Sequence, residues 1–170
     1  MGGPAAVNDR WGEPPMHLAS GEVVMDRHHS HLHEGVVLLL PEALAHIHAA
    51  GRTFLVEEVD FGRLIGETTC VATGPGDEVV FAQRPKRFGL SRFVKNRQPE
   101  QCSSIVIILK AVEEVVGTYV LITAFIGHRP EPEPWDRNAT KQSVVFWASH
   151  ALVWGSEPVV PGTETFTCPW

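Results

Sequence analysis

The sequence has few cysteines and no apolar segment of membrane-spanning length. Its three cysteines, Cys70, Cys102 and Cys168, are odd in number and form no CxxC pair, so neither a disulfide framework nor a cysteine-based zinc site is expected. The longest apolar runs, 36–40 and 105–109, are far too short to cross a bilayer. The N-terminal segment is polar, rich in Gly and Pro, and has no apolar signal-peptide core. We therefore expect a cytoplasmic protein with no membrane partner.

The sequence also lacks a basic excess. It has 14 Lys and Arg against 20 Asp and Glu, for a formal net charge of -6. Taken alone, this charge argues against a nucleic-acid binder, whose domain is usually basic. The length of 170 residues and the 44% hydrophobic content suit one globular domain and exclude a largely disordered or fibrous chain.

Patterning predicts an α+β fold. We expect N-terminal helices, then a four- to five-stranded antiparallel sheet, then a C-terminal helix. The predicted helices are 41–50 and 143–154, and the predicted strands are 53–61, 67–73, 78–83, 103–112 and 117–127. The predicted organisation is a flexible N-terminal arm (1–20), a single domain (21–155) and a Pro-rich C-terminal tail (156–170).

Two finer features of the sheet follow from the sequence. The turn signal Gly-Pro-Gly-Asp at 74–77 predicts that strands 67–73 and 78–83 form a hairpin. The nearly continuous apolar runs in 103–112 and 117–127 are typical of central strands.

The basic residues are concentrated in one segment, RPKRFGLSRFVKNR at 84–97, which we call the basic window. It carries six of the 14 basic residues and no acidic one, whereas the remaining 8 basic residues face 20 acidic ones. Phe88 and Phe93 alternate with the cations, as suits phosphate contacts beside base stacking. The overall charge therefore still permits a local phosphate site. The alternative is a solvated loop and strand face that balances acidic neighbours.

Histidines cluster at 28–33. His28, His29, His31 and His33 fall within six residues, so several would share one face of a helix or a strand. Such a cluster suits a general base or a transition-metal site, or it is a solvated polar stretch. No recognised metal spacing such as HExxH is present, so no metal site and no cofactor are assigned.

Further polar residues lie within or beside apolar segments. Thr123 interrupts a strand, where its hydroxyl either holds a phosphate oxygen or only reflects β-propensity. Glu67 is a candidate general base, and His150 on the last helix is either catalytic or a packed core residue. Trp135, in the segment PEPEPWD at 130–136, either closes over a site or belongs to a rigid surface loop.

Together these residues suit metal-independent RNA cleavage, which needs a base, an acid and cations that stabilise the phosphoryl charge. The candidate catalytic residues are His29, His31, Glu67, Arg92, Thr123 and His150. The candidate substrate-binding residues are Arg84, Lys86, Arg87, Phe93, Lys95 and Trp135.

Five segments carry a resemblance to a known group of proteins. They are GLSRFVK (89–95), SSIVIIL (103–109), TYVLITAFIG (118–127), EPEPW (131–135) and FWASHALVW (146–154). Their order resembles bacterial ribonuclease toxin domains of the barnase/EndoU/colicin/RelE-like superfamily. The resemblance implies an RNA substrate, no metal, an immunity-type inhibitor protein as partner, and delivery into a target-cell cytoplasm. It favours one of the early histidines, Arg92 and Thr123 as site residues.

Two other functions fit the same residues. One is a non-catalytic module that binds nucleic acid or a protein through the basic window. The other is a histidine-rich metal-binding protein.

Overall fold

The computed structural model describes residues 16–25, 31–32 and 34–170. These residues divide into two compact units, and each unit combines two separate stretches of chain. The first unit comprises the described residues up to Gly66 together with Cys102–His128. The second unit comprises Glu67–Gln101 together with Arg129–Trp170. The predicted N-terminal arm, 1–20, lies mostly outside the described residues, and 156–170 belongs to the second unit.

The elements are numbered in chain order. They are β1 (Met16–Leu18), β2 (Gly21–Met25), β3 (His31–Leu32), α1 (Glu34–Val37), α2 (Leu40–Leu44), β4 (Phe54–Asp60), β5 (Gly66–Thr68), β6 (Cys70–Ala72), β7 (Val79–Gln83), β8 (Leu90–Val94), β9 (Glu100–Cys102), β10 (Ser104–Ala111), β11 (Thr118–Ile126), α3 (Lys141–Ser149) and β12 (His150–Val153).

The sheet of the first unit has β10 and β11 at its centre. The strand order is β1-β2-β11-β10-β4, and β3 also pairs with β11. β10 is antiparallel to β11 and β4, whereas β2 and β3 run parallel to β11. Ile105, Ile107, Leu109 and Leu121 are completely buried in the main core cluster. The prediction that the two apolar runs form central strands is confirmed.

The sheet of the second unit has the order β6-β12-β8-β7. β12 is antiparallel to β6 and parallel to β8, and β7 is antiparallel to β8. β5 and β9 form a separate two-stranded sheet. The predicted hairpin is wrong, because β6 and β7 lie at opposite edges of the four-stranded sheet. The turn forms, with the Asp77 amide donating to the Gly74 carbonyl at 3.1 Å, but each strand pairs with a segment distant in sequence.

The predicted α+β class, with N-terminal helices before one antiparallel sheet, is also wrong. The described residues contain three short helices and three sheets, and two of the sheets mix parallel with antiparallel pairs. The predicted helix 41–50 ends at Leu44, and beyond it Ile47 and Ala49 are buried while His48 and Ala50 are exposed. This two-residue alternation suits an extended chain rather than a helix.

The last predicted helix changes type halfway. α3 ends at Ser149, and the next four residues form β12, with Ala151 and Val153 buried. The helix begins at a capping box in which the Thr140 hydroxyl and the Ser143 hydroxyl each accept a backbone N–H. No helix among the described residues is long and apolar enough to cross a membrane.

The C-terminal segment, which we define as residues 157–165, lies along the outer edge of β7. Phe81 and Thr165 exchange two backbone hydrogen bonds of 2.8 Å each, and the Val160 amide donates to the Gln83 carbonyl at 2.7 Å. The segment therefore covers a sheet edge whose N–H and C=O groups would otherwise be available to another chain.

Candidate functional site

The second unit contains an open cleft of about 780 Å³. Its lining comes from the start of the basic window, from the Pro-rich loop after β11, and from one residue each of α3 and β12. The lining residues are Arg84, Lys86, Arg87, Phe88, Arg129, Pro130, Glu131, Pro132, Glu133, Trp135, Asp136, Arg137, Asn138, Trp147 and Leu152. The start of the basic window and Trp135, both chosen from sequence, therefore meet at one concave surface.

Arg84 joins the two sides of the cleft. Its guanidinium forms a short ion pair with Glu133, a second pair with Glu157 at 3.1 Å, and a hydrogen bond of 3.0 Å to the Ser91 hydroxyl. The side chains of Arg84 and Glu133 are only 17% and 9% exposed. A largely buried cation with two carboxylate partners is fixed in place and already neutralised. Arg84 is therefore better suited to hold the cleft together than to bind a phosphate.

The turn after Arg84 places two cations at the cleft. The Arg87 amide donates to the Arg84 carbonyl at 3.2 Å, with Pro85 and Lys86 between them. Lys86 has φ = 62°, a left-handed conformation that favours Gly or Asn at the third position of such a turn. A lysine in this conformation is strained, and strain that persists is a common mark of a functional position.

Trp135 is held against the backbone of the basic window. A Cβ atom added to Gly89 would lie 2.2 Å from Cγ of Trp135, so only glycine allows this approach. The indole N–H of Trp147 donates to the Glu131 carbonyl at 2.9 Å and fixes the Pro-rich loop to α3. The indole N–H of Trp135 is buried and has no hydrogen-bond partner within the described part of the chain.

The charge of the lining is positive on balance, with five Arg or Lys residues against three Asp or Glu residues. Lys86, Arg87 and Arg137 are exposed, and their side chains form no ion pair with any residue that the structure describes. Phe88 is 97% exposed beside them. Sequence analysis missed Arg129, Arg137 and Trp147, although the two arginines flank the Pro-rich loop closely enough to have marked it as part of a basic site.

The candidate catalytic residues Arg92 and His150 are in contact, but the Arg92 side chain binds the backbone of His150 and not its imidazole. The Arg92 guanidinium donates to the Thr73 hydroxyl at 2.7 Å and to the His150 carbonyl at 2.9 Å. Burial lowers the pKa of the Arg92 guanidinium. The His150 Nδ1 atom lies 3.0 Å from the Phe146 carbonyl, and the imidazole stacks on the Phe146 ring at 4.0 Å. These contacts occupy both side chains structurally, and neither residue lines the cleft.

The other catalytic candidates lie elsewhere. Glu67 is exposed in the second unit, where its carboxylate accepts from the Gln101 amide at 3.2 Å. Thr123 belongs to the first unit, where its backbone is in register with that of His31 between β11 and β3. His29, like His28 and His33, lies outside the described residues. The structure therefore brings together Arg92 with His150 in the second unit and the backbones of Thr123 and His31 in the first, rather than one catalytic group.

Two of the substrate-binding candidates lie away from the cleft lining. Phe93 is completely buried and packs edge-on against Trp154, with a ring-centroid distance of 5.4 Å. Its ring has no free face for a base. Lys95 lies 4.6 Å over the Trp154 ring and pairs with Glu164 at 3.6 Å. Phe88 is the aromatic residue of the basic window that reaches the cleft.

Two further kinds of group among the described residues bear on chemistry: possible metal ligands and the Cys70 thiol. Across residues 16–25, 31–32 and 34–170, no group of three or more His, Cys, Asp or Glu side chains is placed to hold a metal ion. Burial, with a smaller effect from the Glu133 carboxylate, raises the pKa of the Cys70 thiol to about 12. Cys70 is therefore protonated and unreactive at neutral pH.

No protein-family model, no curated protein and no solved structure matches the chain. The resemblance to ribonuclease toxin domains stays a prediction.

Proposed function

We propose that the second unit binds single-stranded RNA in its cleft without cleaving it. The observation that carries the proposal is the convergence of three cations (Lys86, Arg87 and Arg137) with the exposed ring of Phe88 at one concave surface. None of the three cations has an ion-pair partner among the residues that the structure describes. Cations hold phosphates in any sequence, and an exposed ring offers a face on which an unpaired base stacks.

The aromatic residues favour a single strand over a duplex. In an A-form duplex the bases stack on one another and the major groove is too narrow for side chains, whereas unpaired bases stack on aromatic rings. Phe88 and Trp135 both line the cleft, and Gly89 lets the indole lie against the window backbone. The mixture of cations and rings in one cleft therefore suits alternating phosphate and base contacts.

Cleavage is excluded from the proposal because none of the candidate catalytic side chains that the structure describes lines this cleft. Arg92 and His150 are held by neighbouring backbone and hydroxyl groups, and Thr123 belongs to the other unit. The RNA should therefore stay intact when it is incubated with the protein.

The test is fluorescence anisotropy of a labelled, unstructured single-stranded RNA with the full chain. We expect Lys86→Ala with Arg87→Ala, and separately Phe88→Ala, to weaken binding. Each lost phosphate contact should reduce the slope of log K against log salt by about 0.7. Lys141→Ala is the matched control, because Lys141 is exposed in the same unit but does not line the cleft.

Competitors separate the alternatives. Duplex RNA should compete poorly, and polyglutamate, which has charge but no bases, should compete poorly as well. Equal competition by polyglutamate would refute RNA binding in favour of an acidic protein partner. Recovery of shortened RNA after incubation would show that the protein cleaves RNA, contrary to the proposal.

A further inference from the structure

The C-terminal segment brings two carboxylates to the basic window. Glu157, at the start of the segment, places Oε2 3.1 Å and Oε1 3.4 Å from Nη1 of Arg84. Glu164, near its end, pairs with Lys95 at 3.6 Å. Both glutamates are partly exposed, at 39% and 47%, so solvent and ligands reach these ion pairs.

Backbone contacts fix the segment in this position. Its hydrogen bonds to Phe81 and Gln83 follow the β7 edge, and the Thr163 hydroxyl accepts a hydrogen bond of 3.0 Å from the backbone N–H of Gln83. Beyond the segment, Trp170 packs edge-on against the Phe81 ring at 5.2 Å. The two glutamates are therefore held beside the window by the fold, and their approach does not depend on the ion pairs alone.

The positive charge of Arg84 is already neutralised without Glu157. Glu133 already forms a more deeply buried ion pair with the same guanidinium, so Glu157 adds a second negative charge where one suffices. This surplus negative charge lies beside a cleft whose other cations, Lys86 and Arg87, follow Arg84 within three residues. An arriving phosphate meets that charge as a repulsion.

We propose that the C-terminal segment is an acidic strap that restrains anion binding: Glu157 repels RNA phosphates that approach the cleft, and Glu164 holds Lys95 against an RNA strand that extends along the basic window beyond the cleft. This inference rests on the proposed RNA binding. The strap lowers the affinity of the window at low salt, and its effect disappears as salt screens the two carboxylates.

The test compares Glu157→Gln, Glu164→Gln and the double variant with the unchanged chain in the same anisotropy assay. Each single substitution should tighten RNA binding about threefold at low salt, and the gain should vanish near 1 M salt, where the screening length falls to about 3 Å. Glu100→Gln is the charge-matched control, since Glu100 is exposed in the same unit and forms no ion pair with a window cation.

The outcomes separate the strap from the proposed function. If the unchanged chain binds RNA and the double variant binds no more tightly than Glu100→Gln, the strap is wrong and RNA binding stands. Weaker binding by Glu157→Gln would also overturn it, because Glu157 would then position Arg84 for the ligand. If neither the unchanged chain nor the double variant binds RNA, the proposed function itself fails. Thermal melts check that all variants stay folded.

Discussion

Replacing Lys86 by glycine should separate stability from binding at one position. Lys86 occupies the left-handed region at φ = 62° in the turn closed by Arg84 and Arg87. A non-glycine residue there costs about 1 kcal/mol, and glycine removes that strain. Glycine also adds about 0.5–1 kcal/mol of unfolded-state freedom, which opposes the gain. The free energy of unfolding should therefore be unchanged or rise by up to about 0.5 kcal/mol, which is a Tm increase of at most about 2 °C.

Binding should change in the opposite direction. Lys86→Gly removes one cation from the cleft, so we expect RNA affinity to fall about fivefold at low salt and the salt slope to fall by about 0.7. Lys86→Ala loses the same charge but keeps a Cβ in the left-handed turn. It should bind as weakly as Lys86→Gly and melt at a lower temperature than the glycine variant.

Thermal melts and anisotropy titrations at several salt concentrations provide both measurements. The reasoning about strain is refuted if Lys86→Gly melts below Lys86→Ala. The reasoning about the cleft is refuted if both variants bind RNA as tightly as the unchanged chain with an unchanged salt slope. Lys86→Arg, which keeps the charge, should bind normally and thereby show that the turn tolerates substitution.

Three further predictions address other parts of the molecule. Phe93→Ala should lower the free energy of unfolding by about 3–5 kcal/mol because the ring is completely buried. By contrast, Phe88→Ala should leave the denaturant midpoint nearly unchanged. Equal losses of stability in the two variants would contradict the placement of the two rings. Under native conditions at neutral pH, a thiol reagent should modify the exposed Cys168 well before Cys70, because the pKa of the Cys70 thiol is raised to about 12. Mass spectrometry of labelled peptides measures the order of modification. Rapid labelling of Cys70 would be inconsistent with its burial. Hydrogen bonds from the Gly62 amide and the Ser103 hydroxyl hold the pKa of Asp60 below its ordinary value near 3.8. The Asp60 carboxylate therefore stabilises the fold above that pH, and this stabilisation is lost as pH falls through the lowered pKa. Thermal melts across acid pH should show a smaller acid-induced loss of stability for Asp60→Asn than for the unchanged chain.

Local sequence patterns predicted those parts of the fold that depend on local chemistry. The apolar runs around Ile107 and Leu121 led directly to the two central strands, because continuous burial leaves a continuous apolar signal. The hairpin failed because strand pairing is decided by distant segments. β12 lies between β6 and β8, although it is some 60 residues away from β8 along the chain, and its Leu152 is in register with Phe93. No local sequence pattern predicts such a distant partner.

The same distinction applies to the candidate site. Charge density identified the segment containing Lys86, because six cations in a short segment of an acidic chain stand out in the sequence. It could not separate Phe88 from Phe93, since both rings occupy the same kind of sequence position and only the strand pairing of β8 buries the second one. The importance of Gly89 also depends on Trp135, which is distant along the chain.

The division of the chain into two interleaved units has a consequence for its synthesis. The chain leaves the first unit after Gly66 and returns at Cys102, so β10 and β11 emerge from the ribosome only after half of the second unit. The early strands must then wait, with their apolar faces uncovered, for the strands that complete their sheet. The second unit in turn waits for Arg129–Trp170. A single premature stop codon between Cys102 and His128 would therefore leave both units incomplete, and such products are expected to depend on chaperones or to be degraded.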